Sequence, residues 1–311
     1  MAGNLTEHHE FTPIQTHCFY IAFDIDDNGE IIQNEKDWMD EIFDEIANFA
    51  LGKDKAVETS LDSPRKAHRD GLRYLYRVKE IKDTSKIYEQ QSKDELDSKY
   101  FKRGEFGELI LYHLLANKLG KPQLISKIYF KDSYNDVVHG FDGIHYDTCS
   151  KELWIGESKF YKDKNAALSE LALDLRTHFN VDFFNEEFTI IQNRFNDLRI
   201  TDEDIKDLID PQNKFLSKLV KINACFFALF DSEILDDFSF EDGSDEPSAV
   251  FLNNLEAVVK QSRESFNQKI ADYKNKDRLK IHLFLFPVKD KYELVKKMHN
   301  KLKIEQGSYN G

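Results

Sequence analysis

The order of predicted elements along this 311-residue chain predicts an α/β fold, with a mixed β-sheet flanked by helices. In the main part of the chain, a long amphipathic helix at 100–120 comes first. Three short segments rich in β-branched and aromatic residues follow it, and two strongly apolar strands come later, each beside a helix. The predicted strands of this part are 123–131, 140–147, 152–161, 221–231 and 280–288.

The N-terminal part contains one predicted strand and one predicted helix. The strand, 16–25, is rich in aromatic and β-branched residues, and the helix, 35–52, has apolar residues at helical spacing. The polar and charged stretch 62–99 is predicted to be helical in part and to contain a boundary. We therefore divide the chain into 1–95, a strand and helix segment packed on the core, and 96–311, the main domain.

The main domain begins with the helix 100–120, which has a stripe of leucines and ends at Gly120. The short segment "DTCSK" separates 140–147 from 152–161 and predicts an antiparallel hairpin of these two strands. The remaining helices are predicted at 165–180, 183–198, 249–274 and 290–302.

The composition is that of a soluble globular protein, with 41% hydrophobic and 32% charged residues. No apolar run approaches the roughly 20 residues needed to span a bilayer, so we expect no membrane association. The N-terminus lacks a basic segment followed by an apolar core, which predicts no secretory signal. Three scattered cysteines without a CxxC pair indicate a reducing, cytoplasmic location and argue against a zinc ribbon or a disulfide framework.

The formal net charge of −14 argues against a simple DNA-binding module held by bulk electrostatics. The charge is unevenly distributed, however. The segment 63–103 has 12 Lys and Arg against 7 Asp and Glu, and 260–303 has 13 against 5, whereas 231–246 contains eight acidic residues and no basic one. Such runs are typical of solvated surface. The functional interpretation is that basic segments flank a groove for a nucleic-acid backbone.

Two opposite charges, Glu157 and Lys159, stand at the end of the apolar strand 152–161. Because side chains alternate along a strand, both point to one face of the sheet. Asp142 lies between small glycines in the preceding strand, and in a hairpin it can bring its carboxylate to the same ion as Glu157. Such an oxygen set suits Mg²⁺, which keeps several waters and takes further ligands from a phosphate.

Lys159 would then stand beside the metal, where its ammonium can polarise the attacking water or stabilise charge on the phosphorane. The preceding helix supplies Glu105 and Glu108, three residues apart. Glu108 is the candidate for an extra carboxylate on the metal, and Glu105 is the alternate. The competing interpretation is structural: an exposed strand end with a cross-strand ion pair, and a solvated helix glutamate.

Asp142 and the ExK tripeptide of Glu157 and Lys159, with Glu108 upstream, resemble the core of the PD-(D/E)xK nucleases. More narrowly, the segments "RGEFGELILYHLL", "GFDGIHYD", "LWIGESKF" and "IHLFLFPV" resemble the nuclease subunit of the Hachiman antiphage defence system over 100–303. The resemblance implies a restriction-endonuclease-like core. In it, Asp142, Glu157 and Glu108 would bind Mg²⁺, with Mn²⁺ as a substitute, and Lys159 would assist hydrolysis of a DNA phosphodiester.

The resemblance also implies a partner, a superfamily 2 helicase subunit encoded nearby, and an activity that phage or damaged DNA releases. Two features depart from the superfamily pattern. The Asp142 motif reads "FDG" without a preceding proline, and no glutamine follows the lysine. The next helix offers Ser169, Glu170 and Arg176 instead, without an assigned role.

The chain contains no GxxxxGK[ST] motif, so we do not expect it to hydrolyse ATP, and any motor must be a separate protein. Its acidic surface fits docking to a basic partner. The predicted function is a Mg²⁺-dependent DNA endonuclease that acts as the effector of an antiphage complex. The alternative is a nuclease fold without activity that docks to a helicase or regulates it.

Two further motifs have residue types that can bind a metal. Residues 24–35 satisfy the EF-hand pattern, which makes a calcium-regulated adaptor a third hypothesis. The segment before them is predicted to be a strand rather than a helix, and a polar hairpin with Asn28 and Gly29 at its tip explains the same residues. The "HHE" at 8–10 is predicted to be a flexible tail. His139 and His145, which flank the Asp142 motif, are predicted to be structural histidines.

Overall fold

A computed structural model describes residues 4–75, 105–126, 140–193, 202–210 and 212–307. The strands in these ranges are β1 Thr6–Phe11, β2 Thr16–Ile21, β3 Phe23–Ile25, β4 Ile31–Gln33, β5 Gln123–Ser126, β6 Gly143–Asp147, β7 Glu152–Phe160, β8 Ile222–Asp231 and β9 Lys280–Val288. Seven of them form one sheet in the order β1-β2-β9-β8-β7-β6-β5, and β3 pairs with β4 separately.

The sheet is mixed, as the sequence predicts. Its central strands β2, β9, β8 and β7 run parallel, whereas β1, β6 and β5 pair antiparallel at the two edges. Every residue of β8 before Asp231 is buried. This agrees with its continuous apolar sequence, because a parallel strand covered on both faces needs no polar alternation.

Helices cover both faces of the sheet. The α-helices of the described ranges are α1 Glu35–Asp44, α2 Ile46–Leu51, α3 Lys53–Asp62, α4 Pro64–Leu75, α5 Glu105–His113, α6 Lys164–His178, α7 Val181–Asn193, α8 Glu203–Ile209, α9 Phe215–Leu219, α10 Ala249–Lys269 and α11 Lys291–Gly307. On one face, residues of α6, α7 and α10 pack in a core with Leu153 and Ile155 of β7. On the other face, residues of α1, α2, α5 and α11 pack in a second core with Trp154.

Helix α5 lies very close to β7 because glycines form the contact on both elements. A Cβ atom at Gly156 would lie 2.5 Å from Leu111 Cδ2, and one at Gly107 would lie 2.7 Å from Ser158 Oγ. Larger residues would push the helix away from the strand. The two glycines therefore set the position of the helix that carries Glu108.

The N-terminal "HHE" is part of strand β1, so the prediction of a flexible tail was wrong. His9 Nε2 lies 3.0 Å from Tyr20 Oη, and His8 Nε2 lies 3.0 Å from His17 Nδ1, which joins β1 to β2. The sequence of β1 is polar because it is an edge strand that is partly exposed. Through β2, which pairs with β9, this part of the chain extends the main sheet. The boundary predicted at 95 lies outside the described residues.

Residues 24–35 form the β3–β4 hairpin and the first residue of α1. As predicted, a strand precedes the turn, and Gly29 at its tip has a φ of +83°. The Asp26 Oδ1 atom accepts backbone N–H groups of Asn28 and Glu30, both at 2.9 Å. This carboxylate therefore stabilises the turn, and no helix leads into the loop as an EF-hand requires.

The other predicted elements occur with shifted ends. The helix predicted at 100–120 is α5 followed by the π-helical turn Leu114–Lys118, and Gly120 follows with a φ of +64°. The strand predicted at 123–131 is described as far as Ser126. The whole of 76–99 and the remainder of that strand lie outside the described residues.

We expect Gly156→Ala to lower the free energy of unfolding by about 1 to 3 kcal/mol, because the buried Leu111 side chain would have to shift to make room for the added methyl group. Urea unfolding followed by circular dichroism would measure the change. Gly307→Ala is the matched control, since no atom lies within 4 Å of a Cβ there. Equal losses for both variants would contradict the close packing of α5 on β7.

Asp147, at the turn of the β6–β7 hairpin, binds Lys121 Nζ at 2.6 Å and accepts the backbone N–H of Cys149 at 2.9 Å. The bond to Lys121 lowers the pKa of Asp147 to about 2. A carboxyl whose pKa is depressed by folding stabilises the protein above its unfolded pKa and loses that contribution as the pH falls.

We expect Asp147→Asn to lower the free energy of unfolding by about 1 to 2 kcal/mol at pH 7, and the difference from wild type to vanish between about pH 4 and pH 2. Urea unfolding at a series of pH values tests this. A difference that is independent of pH would contradict it.

Candidate active site

The β6–β7 hairpin brings Asp142 and Glu157 together at the end opposite its turn. Gly143 pairs with Gly156, and the backbone N–H of Asp142 donates to Gly156 O at 3.0 Å. Asp142 therefore stands beside Glu157, one position beyond the last pair of the ladder. Both side chains are buried, with Asp142 8% and Glu157 2% exposed. Two carboxylates thus share one enclosed position at the end of the sheet.

Ser158 fixes the orientation of the Asp142 carboxylate. Its backbone N–H and its hydroxyl both donate to Asp142 Oδ2, each at 2.8 Å. Two donors on one oxygen hold the carboxylate in one orientation. The middle residue of the ExK tripeptide therefore orients the aspartate, although its own side chain points to the opposite face from Glu157.

Glu157 is bound by a histidine of helix α6. His178 Nδ1 donates to Glu157 Oε1 at 2.6 Å. Burial first, and then the negative charge of Asp142, raise the pKa of Glu157 to about 7, although the bond to His178 acts in the opposite direction. Burial lowers the pKa of His178, but the bond to Glu157 outweighs it, so that this pKa is raised. The two groups form a charge-assisted pair inside the site.

Lys159 points to the same face as Glu157 and binds a second acid of α6. Its Nζ atom lies 2.7 Å from Asp174 Oδ2. Burial lowers the pKa of Lys159, yet the bond to Asp174 and the charges of Glu157 and Asp142 raise it, and the net direction is upward. Burial also raises the pKa of Asp174, against the effect of the lysine. The lysine side chain keeps 24% of its surface exposed.

Glu108 approaches Asp142, Glu157 and Lys159 from a different element and a different face of the sheet. It is buried, but it lies on α5, which packs on the face of β7 opposite to Glu157 and Lys159. Its neighbour Gly107 contacts Ser158, so the helix still reaches the edge of the site. Within the described residues, no three His, Cys, Asp or Glu side chains form a group that could hold a metal ion. The side chain of Glu105 lies outside the described residues.

Sequence reasoning missed Asp174 and His178. Asp174 is buried and His178, one turn later, is half-buried, and both stand at positions where the spacing from Leu171 predicts apolar residues. Polar residues in an apolar stripe were the available signal. Glu187 of α7 is a further buried acid near the hairpin, because its Oε2 lies 2.9 Å from the place that a Cβ atom at Gly140 would take.

The sequence also predicts structural roles for His139 and His145, the two histidines that flank the Asp142 motif. His145 is fully buried and its Nδ1 lies 2.7 Å from Lys121 O, so the prediction of a structural histidine is confirmed. His139 lies outside the described residues.

The donor set fits a hard divalent cation. Asp142 and Glu157 offer carboxylate oxygens in one buried position, and their mutual repulsion contributes to the raised pKa of Glu157. Mg²⁺ is commonly bound through one or two carboxylates together with waters and substrate phosphate oxygens. A cation there would relieve the repulsion between the two acids.

The comparisons with known proteins agree with the resemblance seen in the sequence. The model of the HamA family matches residues 4–302, from the first strand of the sheet into α11. No curated protein and no solved structure gave a match. Among the described helices, none is long and apolar enough to cross a membrane. HamA membership indicates a component of Hachiman antiphage defence. Because the match covers almost the whole chain, this protein belongs to the HamA family.

Proposed function

We propose that this chain is a metal-dependent DNA endonuclease with a restriction-endonuclease-like PD-(D/E)xK core, and that it is the effector subunit of a Hachiman defence complex. The observation that carries the proposal is the grouping of Asp142, Glu157 and Lys159 at one end of the β6–β7 hairpin. Family membership supports the defence role. The nuclease activity is argued from the chemistry of these side chains.

Asp142 and Glu157 would hold Mg²⁺, or Mn²⁺ in its place, with Glu108 as a further candidate ligand. When bound, such a cation polarises a phosphate oxygen and makes a bound water more acidic. The protein prepares the acids for this role. Ser158 holds Asp142 through Oδ2, and His178 holds Glu157 through Oε1, so that neither carboxylate has to be ordered when the cation arrives.

Lys159 would act on the substrate. Its ammonium lies on the same face as Glu157 and is held by Asp174, and the lysine side chain is partly exposed. A scissile phosphodiester that approaches the two acids would meet this positive charge. The ammonium would then stabilise the negative charge that develops on the phosphorus oxygens, or orient the attacking water.

DNA is the proposed substrate, and a superfamily 2 helicase encoded nearby is the proposed partner. The basic residues of 260–303 offer contacts for the phosphate backbone, whereas the acidic segment 231–246 would repel DNA and favours a basic protein surface. The chain has no GxxxxGK[ST] motif, so ATP hydrolysis would come from the partner. Phage or damaged DNA would release the activity through that helicase.

A second candidate function is docking to the helicase, or regulating it, without catalysis. One observation favours it: Glu157 and Lys159 each have an oppositely charged partner on α6, so the charges of these two residues are compensated without a metal. Calorimetric titration with Mn²⁺ separates the two candidates. Binding that Glu157→Gln abolishes supports the nuclease, and absence of binding supports the docking protein.

We expect the purified chain to cleave plasmid DNA in the presence of Mg²⁺, either alone or with the adjacent helicase and ATP. Glu157→Gln and Lys159→Ala should each lower the cleavage rate by about 100-fold or more, because the first removes a proposed metal ligand and the second removes the ammonium that would act on the phosphate. Agarose gels of supercoiled and linear DNA would give the rates, and plaque assays would give the loss of phage protection.

Glu152→Gln is the matched control for this experiment. Glu152 also lies on β7 and is paired with Lys280, but at the opposite end of the strand. The Glu152→Gln variant should cleave DNA at the wild-type rate. If Glu157→Gln and Lys159→Ala preserve both cleavage and protection, the proposed mechanism is wrong. If no Mg²⁺-dependent cleavage occurs with the helicase and ATP present, the nuclease function is wrong.

A further inference from the structure

We infer that Asp174 is a positioning residue that keeps the Lys159 ammonium away from Asp142 and Glu157. Without it, the lysine would form an ion pair with these acids and occupy the place of the cation. The inference rests on the proposed function, because it concerns the same two acids as metal ligands. It assigns to α6 a role that the ExK pattern does not contain.

Two neighbouring ion pairs join strand β7 to helix α6. Residues two apart on a strand lie about 7 Å apart on one face, and residues four apart on a helix lie about 6 Å apart. Glu157 therefore meets His178 at 2.6 Å while Lys159 meets Asp174 at 2.7 Å. Helix α6 thus places His178 beside the acid of the strand and places Asp174 beside the lysine of the strand.

Lys159 has other anions within reach. Glu157 is two residues away on the same face, and the pKa of Lys159 responds to the charges of both Glu157 and Asp142. A lysine side chain has several rotatable bonds, so its ammonium will move to the nearest accessible carboxylate. In the structure it instead binds Asp174. The place between Asp142 and Glu157 is thereby left to a different cation.

Asp174 lies in a buried part of a capped helix. Helix α6 has 15 residues, and its N-terminus is capped by Asp163, whose Oδ1 accepts the Ala166 N–H at 2.7 Å. Leu171 and Leu175, on either side of Asp174, are fully buried in the core beneath the sheet. Asp174 is itself 7% exposed. Removing its charge would leave the lysine uncompensated in a partly buried position, which strongly favours a new partner.

The test is a calorimetric titration of the full-length protein with Mn²⁺ in the absence of DNA. We expect Asp174→Ala to weaken Mn²⁺ binding by about tenfold or more, as is typical when the support of a metal ligand set is lost. The informative variant combines Asp174→Ala with Lys159→Met. With no ammonium left to enter the site, its Mn²⁺ affinity should return to that of Lys159→Met alone.

Asp147→Ala is the matched control. It removes an aspartate of similar burial that is also paired with a lysine, at 2.6 Å, but at the other end of the β6–β7 hairpin. It should lower stability without changing the Mn²⁺ affinity of the folded protein. Urea unfolding of every variant shows that the titrations use folded protein.

Three outcomes contradict the inference. If Asp174→Ala binds Mn²⁺ as tightly as wild type, Asp174 does not protect the site. If Asp174→Ala is weak and Lys159→Met does not restore binding, the loss comes from damage to α6. In both cases Mn²⁺ binding by wild type that Glu157→Gln abolishes leaves the proposed function intact. If wild type shows no such binding, the metal site of the proposed function fails, and the inference fails with it.

Discussion

The register of the β6–β7 hairpin, with Gly143 opposite Gly156, is the constraint on which the candidate site depends. It places Asp142 beside Glu157 and gives Ser158 two hydrogen bonds to the Asp142 carboxylate. A slip by one residue would turn the acids to opposite faces. The same register puts Gly156 under Leu111, so the packing of α5 also depends on it. The structure therefore couples the second core to the alignment of the acids.

Burial of several charges in one place is costly unless each of them is compensated. Here the compensation comes from α6, which gives His178 to Glu157 and Asp174 to Lys159. The arrangement keeps the ammonium and the two acids as neighbours without letting them neutralise each other. In a nuclease of the proposed kind, the acids would serve the metal and the ammonium would serve the phosphate.

The N-terminal strands belong to the same structural unit as the site. Strand β2 pairs with β9, and the HamA family match begins at residue 4, so both observations include β1 and β2. The N-terminal part of the chain also contacts the acidic segment 231–246. The β3–β4 hairpin and the acidic segment 231–246 meet through Phe23 and Phe238, whose rings stack at 3.8 Å. The N-terminal part of the chain therefore packs against the acidic segment as well as extending the sheet.

The sequence by itself determined the α/β class, the hairpin, and the common face of Glu157 and Lys159, because strand alternation and turn composition are local properties. It did not reveal β1, because an edge strand carries no apolar period. Asp174 and His178 depended on the tertiary structure, because their contacts to β7 require a particular rotation of α6 set by packing in the core. The same holds for Glu108. Its distance in sequence from Glu157 could not show that α5 lies on the opposite face of the strand, where Gly107 and Gly156 allow it to pack.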